Sequence, residues 1–195
     1  SHAAVYGPTA IGANSIILAG KVAVSSIGHS CRVGGEVEES IFHSYVNKYH
    51  AGFIGHSYVG EWVNFGAMTT NSDLKNNYSS IRVSVNGQSI DTDSIKVGSF
   101  IGDHTKFGIG SFLNTGISIG PACNLFGGQL LTDKEVPPFQ WGASGRYTQY
   151  QFDKAMTSLV AACNRRNHVL SAHEKELLRK ISENSMSDKG IIQWP

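Results

Sequence analysis

One periodicity constrains this chain more than any other feature: apolar residues recur at every sixth position. From Ile101 the register runs through Phe107, Leu113, Ile119, Leu125 and Leu131, and Gly102, Gly108 and Gly120 directly follow three of them. An earlier run holds Val5, Ile11, Ile17 and Ala23, with sixfold pairs at Ile27 and Val33 and at Val59 and Phe65, the phase slipping in between. A six-residue period fits neither the 3.6 of an amphipathic helix nor plain strand alternation. It suits a triangular coil with three short strands per turn, in which an aliphatic side chain points inward at the end of each face and a small residue turns the corner. Stacking such coils pairs every backbone N–H and C=O with the turn above or below, so a chain with few helical signals still satisfies its polar backbone. The expected class is mainly β, a parallel β-helix.

The repeat is expected over 1–135, interrupted by a loop extruded at about 72–96. Within that loop Asn76-Asn77-Tyr78 and the run from Ile81 to Val85 lead into Asn86-Gly87, and an Asn-Gly pair between alternating apolar residues signals a hairpin. After Leu131 the repeat stops at Val136-Pro137-Pro138, and 136–195 reads as a C-terminal extension with two helices. Phe152, Met156, Leu159, Val160 and Cys163 make one helical apolar stripe, and Ser171-Ala172-His173-Glu174 is a capping box that opens a second helix through Leu177, Leu178 and Ile181. This helical hairpin is expected to cover the open end of the coil stack, or a neighbouring subunit, because an uncapped β-helix exposes unpaired edge groups. Arg165, Arg166, Lys175, Arg179 and Lys180 read first as a solvated helix face, and second as an attractor for a phosphorylated cofactor tail.

Composition excludes several classes. The 16 Lys+Arg nearly balance 15 Asp+Glu, so no net basic field exists to drive binding of nucleic acid. No apolar run is long enough to span a bilayer, which argues against a membrane partner. Cys31, Cys123 and Cys163 are an odd number without C-x-x-C spacing, so neither a disulfide framework nor a thiolate metal site is encoded, and a reducing cytoplasmic setting is expected. The 22 glycines recur singly after aliphatic residues and never at every third position, which separates the chain from collagen.

The densest polar and aromatic stretch runs from Asn47 to His56 and continues as Gly60-Glu61-Trp62-Val63-Asn64-Phe65-Gly66-Ala67. These residues, with Gly34-Gly35-Glu36-Val37-Glu38 before them and Ile101 to Leu131 after them, resemble a known family. It is the C-terminal left-handed β-helix, or hexapeptide-repeat, acyltransferase domain of bifunctional sugar-1-phosphate nucleotidylyltransferases/acetyltransferases. That group is typified by N-acetylglucosamine-1-phosphate uridyltransferase/glucosamine-1-phosphate acetyltransferase, and the chain is most similar to its sugar nucleotidyltransferase branch. The resemblance implies a left-handed coil, a cytoplasmic homotrimer, acetyl-CoA as co-substrate and an amino-sugar 1-phosphate as acceptor. It also implies a longer parent chain whose N-terminal nucleotidylyltransferase domain, with its glycine-rich loop, is not part of this sequence.

Laid on the family pattern, His50 takes the place of the catalytic base and Asn64 that of the asparagine near substrate and acyl group. Ala67 falls where a backbone group meets the acyl end of the cofactor, and Ile109 and Phe126 fall at corners along which coenzyme A lies between two subunits. Substrate binding is assigned to Lys48, Phe53, Asn71 and Lys75. Phe53 stands where the family carries tyrosine, so a hydroxyl role there is lost. The family's phosphate-holding lysine has no counterpart near Glu38 to Ile41, which leaves that task to Lys48, Lys75 or Arg32, or leaves phosphate binding absent. A histidine suits the chemistry independently: an amine attacking a thioester must shed a proton, and imidazole accepts it near neutral pH. The developing oxyanion needs a preplaced donor, which a corner N–H near Ala67 or the Asn64 amide supplies without a metal.

Two other readings stay open at this level. His43, His50, His56 and His104 invite comparison with trimeric β-helical zinc enzymes of the gamma-carbonic-anhydrase type, in which imidazoles from adjacent subunits hold the metal. A β-helix without activity, serving to trimerise or regulate a nucleotidyltransferase, is the third, because fold does not imply function.

Overall fold

The computed structural model describes residues 2–186. Its strands are mostly two residues long and stack in parallel into the three faces of a β-helix. Face B carries Ala10–Ile11, Ser26–Ile27, Ile41–Phe42, Tyr58–Val59, Phe100–Ile101, Ser118–Ile119 and Glu135–Val136, each hydrogen-bonded to the next. Face A carries Asn47–Lys48, Asn64–Phe65, Lys106–Phe107 and Asn124–Leu125, continued by the longer strands Arg32–Glu38 on one side and Gln140–Ala143 on the other. On face C, Thr70–Asn71, Phe112–Leu113 and Leu130–Leu131 stack in line. Phe53–Gly55 extends that face by pairing with Arg32–Glu38, and the Thr70 hydroxyl and Asn71 amide join it to Thr70–Asn71.

The sixfold register maps onto the interior. Ile101, Phe107, Leu113, Ile119, Leu125 and Leu131 are each at most 3% exposed and sit in one core cluster with Val33, Phe42, Val59 and Phe65. Fully burying each such side chain is worth about 1.5–3 kcal/mol, so this column is the main source of the coil's stability. The rings of Phe65 and Phe107, partners on adjacent coils of face A, stack at 5.3 Å. The earlier register departs from expectation at both ends: Val5 and Ile11, on the terminal coil, are 49 and 41% exposed, and its last member is out of phase. Strand Ile16–Ala23 carries an irregularity between Ile17 and Gly20, and the residue aligned with Val5 and Val37 is Val22, not Ala23. A one-residue shift exchanges the inward and outward sides of a strand, which is why the sixfold phase is lost there.

Short polar residues close the turns. Ser25, Ser40, Ser57 and Ser99 form a ladder at the start of the face B strands, the backbone N–H of each of the last three bonding the hydroxyl of the serine before it. The excursion between Asn71 and Phe100 contains a two-stranded hairpin, Arg82–Val85 against Gln88–Asp91, turning at Asn86 and Gly87 with φ of 52° and 72°. Positive φ at both central residues is the geometry an Asn-Gly turn supplies. The hairpin is fastened to the coil, because the Glu135 carboxylate accepts from the Ser84 hydroxyl and the Gly87 N–H at 2.6 and 2.9 Å.

The coil runs past the double proline through Gln140–Ala143, which folds back on Arg146–Gln149 in an antiparallel pair. Two helices follow, α1 at Phe152–Asn164 and α2 at Ala172–Met186. The capping box at the start of α2 is present in both directions: Ser171 N–H donates to the Glu174 carboxylate at 2.7 Å and Glu174 N–H to the Ser171 hydroxyl at 3.2 Å. Leu159, Cys163 and Ala155 of α1 and Leu178 of α2 pack with Trp62, Ala122, Phe139 and Tyr150 into a second apolar cluster. The helices therefore lie along the side of the stack, over the corner between faces B and A. At that corner Tyr45, Trp62, His104, Ala122 and Phe139 occupy successive coils, all with positive φ. No helix of the described residues is long and apolar enough to cross a membrane.

Candidate active site on face A

The outward residues of face A make a ladder of unusual polarity. Arg32, Asn47, Asn64, Lys106 and Asn124 are aligned in register on consecutive coils. Together with Tyr45, Tyr49, His50, Trp62 and Val63, and with Ala162, Arg165 and Arg166 from the end of α1, the first four of them line a cleft of about 500 Å³. Its floor is the coil wall, one rim is the corner at His50, and the opposite rim is α1.

Four cationic side chains line this cleft and no carboxylate does. Burial lowers the pKa of Lys106, and burial followed by the charge of Arg32 lowers that of Arg166. Arg166 Nη1 donates to the Ser30 carbonyl at 3.3 Å, while the buried Arg32 Nε has no hydrogen-bond partner among the described residues. Asn47 Nδ2 donates to Asn64 Oδ1 at 2.8 Å. That bond engages the oxygen of Asn64, a residue that itself lines the cleft. The arrangement suits an anion beside a group that must be deprotonated.

His50 is exposed at the turn from face A to face C, its ring edge-on to Tyr49 at 5.2 Å. The neighbouring Ala51 carbonyl accepts from Met68 N–H at 2.9 Å, and the Ala67 carbonyl accepts from Gly110 N–H at 2.8 Å. These bonds place His50-Ala51, Ala67-Met68 and Ile109-Gly110 on one corner of successive coils, with Phe126 following on the next. Ile109 is 74% and Phe126 39% exposed. Of the expected site residues, His50, Asn64, Ala67, Ile109 and Phe126 thus share one edge or lie directly beside it.

The others fall elsewhere. Lys48 is not available to a substrate: it points into the coil interior, 1% exposed, and its Nζ donates to the carbonyls of Gly34, His50 and Gly52 at 2.7, 3.2 and 2.7 Å. Asn71 is likewise turned inward, where its amide bonds both the N–H and the C=O of Gly55 at 2.9 Å. It stands in for the neighbouring strand at the point where the excursion interrupts the stack. Phe53 lies on face C with its ring over Gly55, and Lys75, at the base of the excursion, donates to the Ser80 carbonyl at 2.7 Å. On the phosphate question the structure leaves Arg32 as the expected candidate that reaches the cleft. Arg165 and Arg166, read from sequence first as a solvated helix face and second as an attractor for a phosphorylated cofactor tail, are brought to it by the fold. No sequence spacing could have signalled that approach across the chain.

The histidines do not converge. His43 packs on Tyr58 and His56 is gripped by Asp73 at 2.7 Å and Glu39 at 3.1 Å. His104 is buried beside Trp62 beneath the helices, where burial and then Lys106 hold its pKa down to about 3. Among the described residues no group of three or more His, Cys, Asp or Glu is arranged to hold a metal ion. A larger hollow, about 780 Å³ between the two helices, is lined by Phe152, Met156, Val160 and Arg179 among others and contains none of the polar ladder.

Three curated proteins are similar to part of this chain. A bifunctional sugar-1-phosphate nucleotidylyltransferase/acetyltransferase from Sulfurisphaera tokodaii is 32% identical over 96 residues, 49% of this chain and 24% of that protein. The bifunctional protein GlmU of Methanocaldococcus jannaschii and that of Methanococcus vannielii are each 28% identical over 101 residues, 52% of this chain and 24% of theirs. The match therefore spans about a quarter of the length of these relatives. A solved Bacillus cereus structure assigned as an acetyltransferase aligns over 96% of this chain and 89% of its own with 16% identity and a TM-score of 0.40. No protein-family model matches the chain. The parallel coil stack and the similarity to nucleotidylyltransferase/acetyltransferases together fit a C-terminal hexapeptide-repeat acyltransferase domain.

Proposed function

We propose that this chain is an acyltransferase that moves an acetyl group from acetyl-CoA to the amine of an amino-sugar 1-phosphate, with His50 as general base. The observation that carries the reading is a single cleft in which an exposed histidine, a fixed asparagine amide and an uncompensated cluster of cations line the same wall. Imidazole is the side chain suited to accepting a proton from an attacking amine near neutral pH. As the amine nitrogen bonds the thioester carbon, its proton passes to the His50 ring. The tetrahedral oxyanion meets the Asn64 amide or a corner N–H near Ala67. The C–S bond then breaks, and the proton on His50 leaves with the thiol of CoA.

In this proposal the acyl donor runs along the edge marked by Ile109 and Phe126, between two chains of a homotrimer in the cytoplasm. The names of the similar proteins support acyl transfer as the reaction class, and the nucleotidylyltransferase activity they also carry would belong to the remainder of a longer parent. Phe53 offers no hydroxyl to the acceptor, so orientation of the sugar falls to face A.

The test is release of free CoA thiol from acetyl-CoA with glucosamine 1-phosphate and galactosamine 1-phosphate offered in parallel. The unmodified protein should release thiol only when an amino-sugar phosphate is present, and His50→Ala should lower the rate by about 10²–10⁴-fold, the usual contribution of a positioned base. An undiminished rate in His50→Ala would remove that residue from the role, and no release with either acceptor would remove the acceptor class.

A further inference from the structure

We infer that Arg165 and Arg166 at the end of α1, with Arg32 and Lys106 of the coil wall, form the pocket that takes the phosphomonoester of the acceptor, which makes the helical extension along the side of the stack a wall of the binding site. The inference rests on the acyltransferase reading for which molecule carries the phosphate, and on geometry alone for the pocket itself.

The chain as a whole carries a formal charge of only +1, yet four cations line one cleft with no carboxylate among the lining residues. Like charges held together and partly desolvated are unfavourable unless a counter-charge joins them. Burial first, and then the charge of Arg32, depress the pKa of Arg166, and the buried Arg32 Nε is a donor with no acceptor among the described residues. Guanidinium pairs are the groups suited to forked recognition of phosphate oxygens.

Position supplies the second argument. In a 2-amino sugar 1-phosphate the amine and the phosphate sit on adjacent carbons, so whatever holds the phosphate must share a cleft with the base that faces the amine. Among the basic residues near this region, only the face A set meets that condition. Lys21 is engaged by Glu36 and Glu38, Lys48 is sealed in the core, and Lys75 is bonded within the excursion. Coenzyme A also bears phosphates, but Ile109 and Phe126 belong to the Lys106 and Asn124 coils, three and four coils beyond the Arg32 coil whose Ser30 carbonyl Arg166 bonds. The assignment is therefore to the acceptor.

Calorimetric titration of the full chain with glucose 1-phosphate, which lacks the amine and cannot turn over, reads the pocket without catalysis. We expect binding that weakens with added salt, no binding of glucose, and a loss of about tenfold or more in Arg165→Ala/Arg166→Ala, since a charge-assisted hydrogen bond is worth at least one decade of affinity. Arg165→Glu alone, at an exposed position that leaves the Ser30 contact in place, should weaken binding further than Arg165→Ala. Thermal melting of each variant checks that the fold is kept. In parallel, the affinities for CoA and 3′-dephospho-CoA should not change in the double variant. Unchanged affinity for glucose 1-phosphate in folded variants, no binding by the unmodified protein, or a loss confined to CoA would each overturn the inference. Arginine-dependent binding without thiol release from acetyl-CoA would leave the pocket standing and sink the acyltransferase reading instead.

Discussion

Lys48 occupies a position that the six-residue register reserves for an apolar side chain, midway between Phe42 and Ile54. Its stem lies in the stack between Val33 and Phe65, and its ammonium meets three inward-facing carbonyls at the corner where Gly35, with φ of 69°, and Gly52 turn the chain. Any side chain at Gly35 would occupy the space of Nζ. One of those carbonyls belongs to His50, so Lys48 acts as a positioning residue for the proposed base. Burial lowers its pKa from 10.5 to about 8. Between pH 8 and 10.5 the unfolded chain therefore binds a proton that the native chain does not, and this group makes stability rise with pH across that window. Lys48→Met should lose about 2 kcal/mol at pH 7, because buried carbonyls are left without a donor. Urea denaturation from pH 7 to 10.5 should show the gap to wild type widening with pH; a constant gap would mean that Lys48 is not a buried, titrating donor. The register itself contained the signal for this placement, as it did for Asn71, six residues beyond Phe65. The chemistry of a lysine and an asparagine beside a histidine drew the sequence reading toward ligand binding, because spacing alone does not say that backbone carbonyls wait inside the coil.

At the scale of elements, the hairpin and both helices were legible because each is written in local chemistry: Asn86-Gly87 for the turn, Ser171 and Glu174 for the cap, a helical stripe for α1. What holds the helices to the coil was not legible. Tyr45, Trp62, His104 and Phe139 lie at corners with positive φ, pointing out of the coil, and their spacing is broken by the inserted segment, so no sixfold pattern exposes them. Tyr45 and Trp62 stack at 4.0 Å, and His168 from the loop between the helices packs on both. His104 sits next in this column, with Lys106, Glu174 and His168 as its charged neighbours, and its Nδ1 has no partner among the described residues. With its native pKa near 3, the imidazole stays neutral in the fold while the unfolded chain takes up a proton below about pH 6.5. Stability contributed by this site is thus present above pH 6.5 and lost as pH falls toward 3. The helical extension should loosen from the coil in mild acid, with Trp62 reporting through its fluorescence. In His104→Phe the decline in unfolding free energy between pH 6.5 and 4 should be shallower than in wild type; an equal slope would assign acid sensitivity to other groups.

At the scale of the whole molecule, the coil leaves apolar side chains exposed on its outside, with Ile41, Tyr58 and Phe100 in line on face B and a second strip beside the proposed site. Met68, Ile109 and Phe126 follow one another along the corner between faces A and C with exposures of 58, 74 and 39%; Trp141, in register with Asn124 on face A, is 39% exposed against Phe126, and Phe112 and Leu130 on face C add 43 and 46%. A continuous apolar strip of this kind on a soluble protein marks a contact surface. The strip is parallel to the coil axis and its two sides differ, one being the cleft of face A and the other the flat ladder of face C. A contact that joins unlike patches forms a ring where its rotation closes and a filament where it does not; the proposed trimer is the ring in which each side of a triangular prism meets the next. This is the assembly the proposed function requires, since it would lay the acyl donor between one chain's His50 edge and its neighbour. Phe112→Arg/Leu130→Arg places two charges on face C, away from His50 and from the arginine pocket. For the proposed trimer, light scattering should report three chains in the unmodified protein and one in this variant, and thiol release should fall with the assembly. Glucose 1-phosphate binding should persist, because Arg32, Lys106, Arg165 and Arg166 all come from one chain. A variant that remains trimeric would move the interface off face C, and one that becomes monomeric yet keeps full transfer would show that each chain holds a complete site.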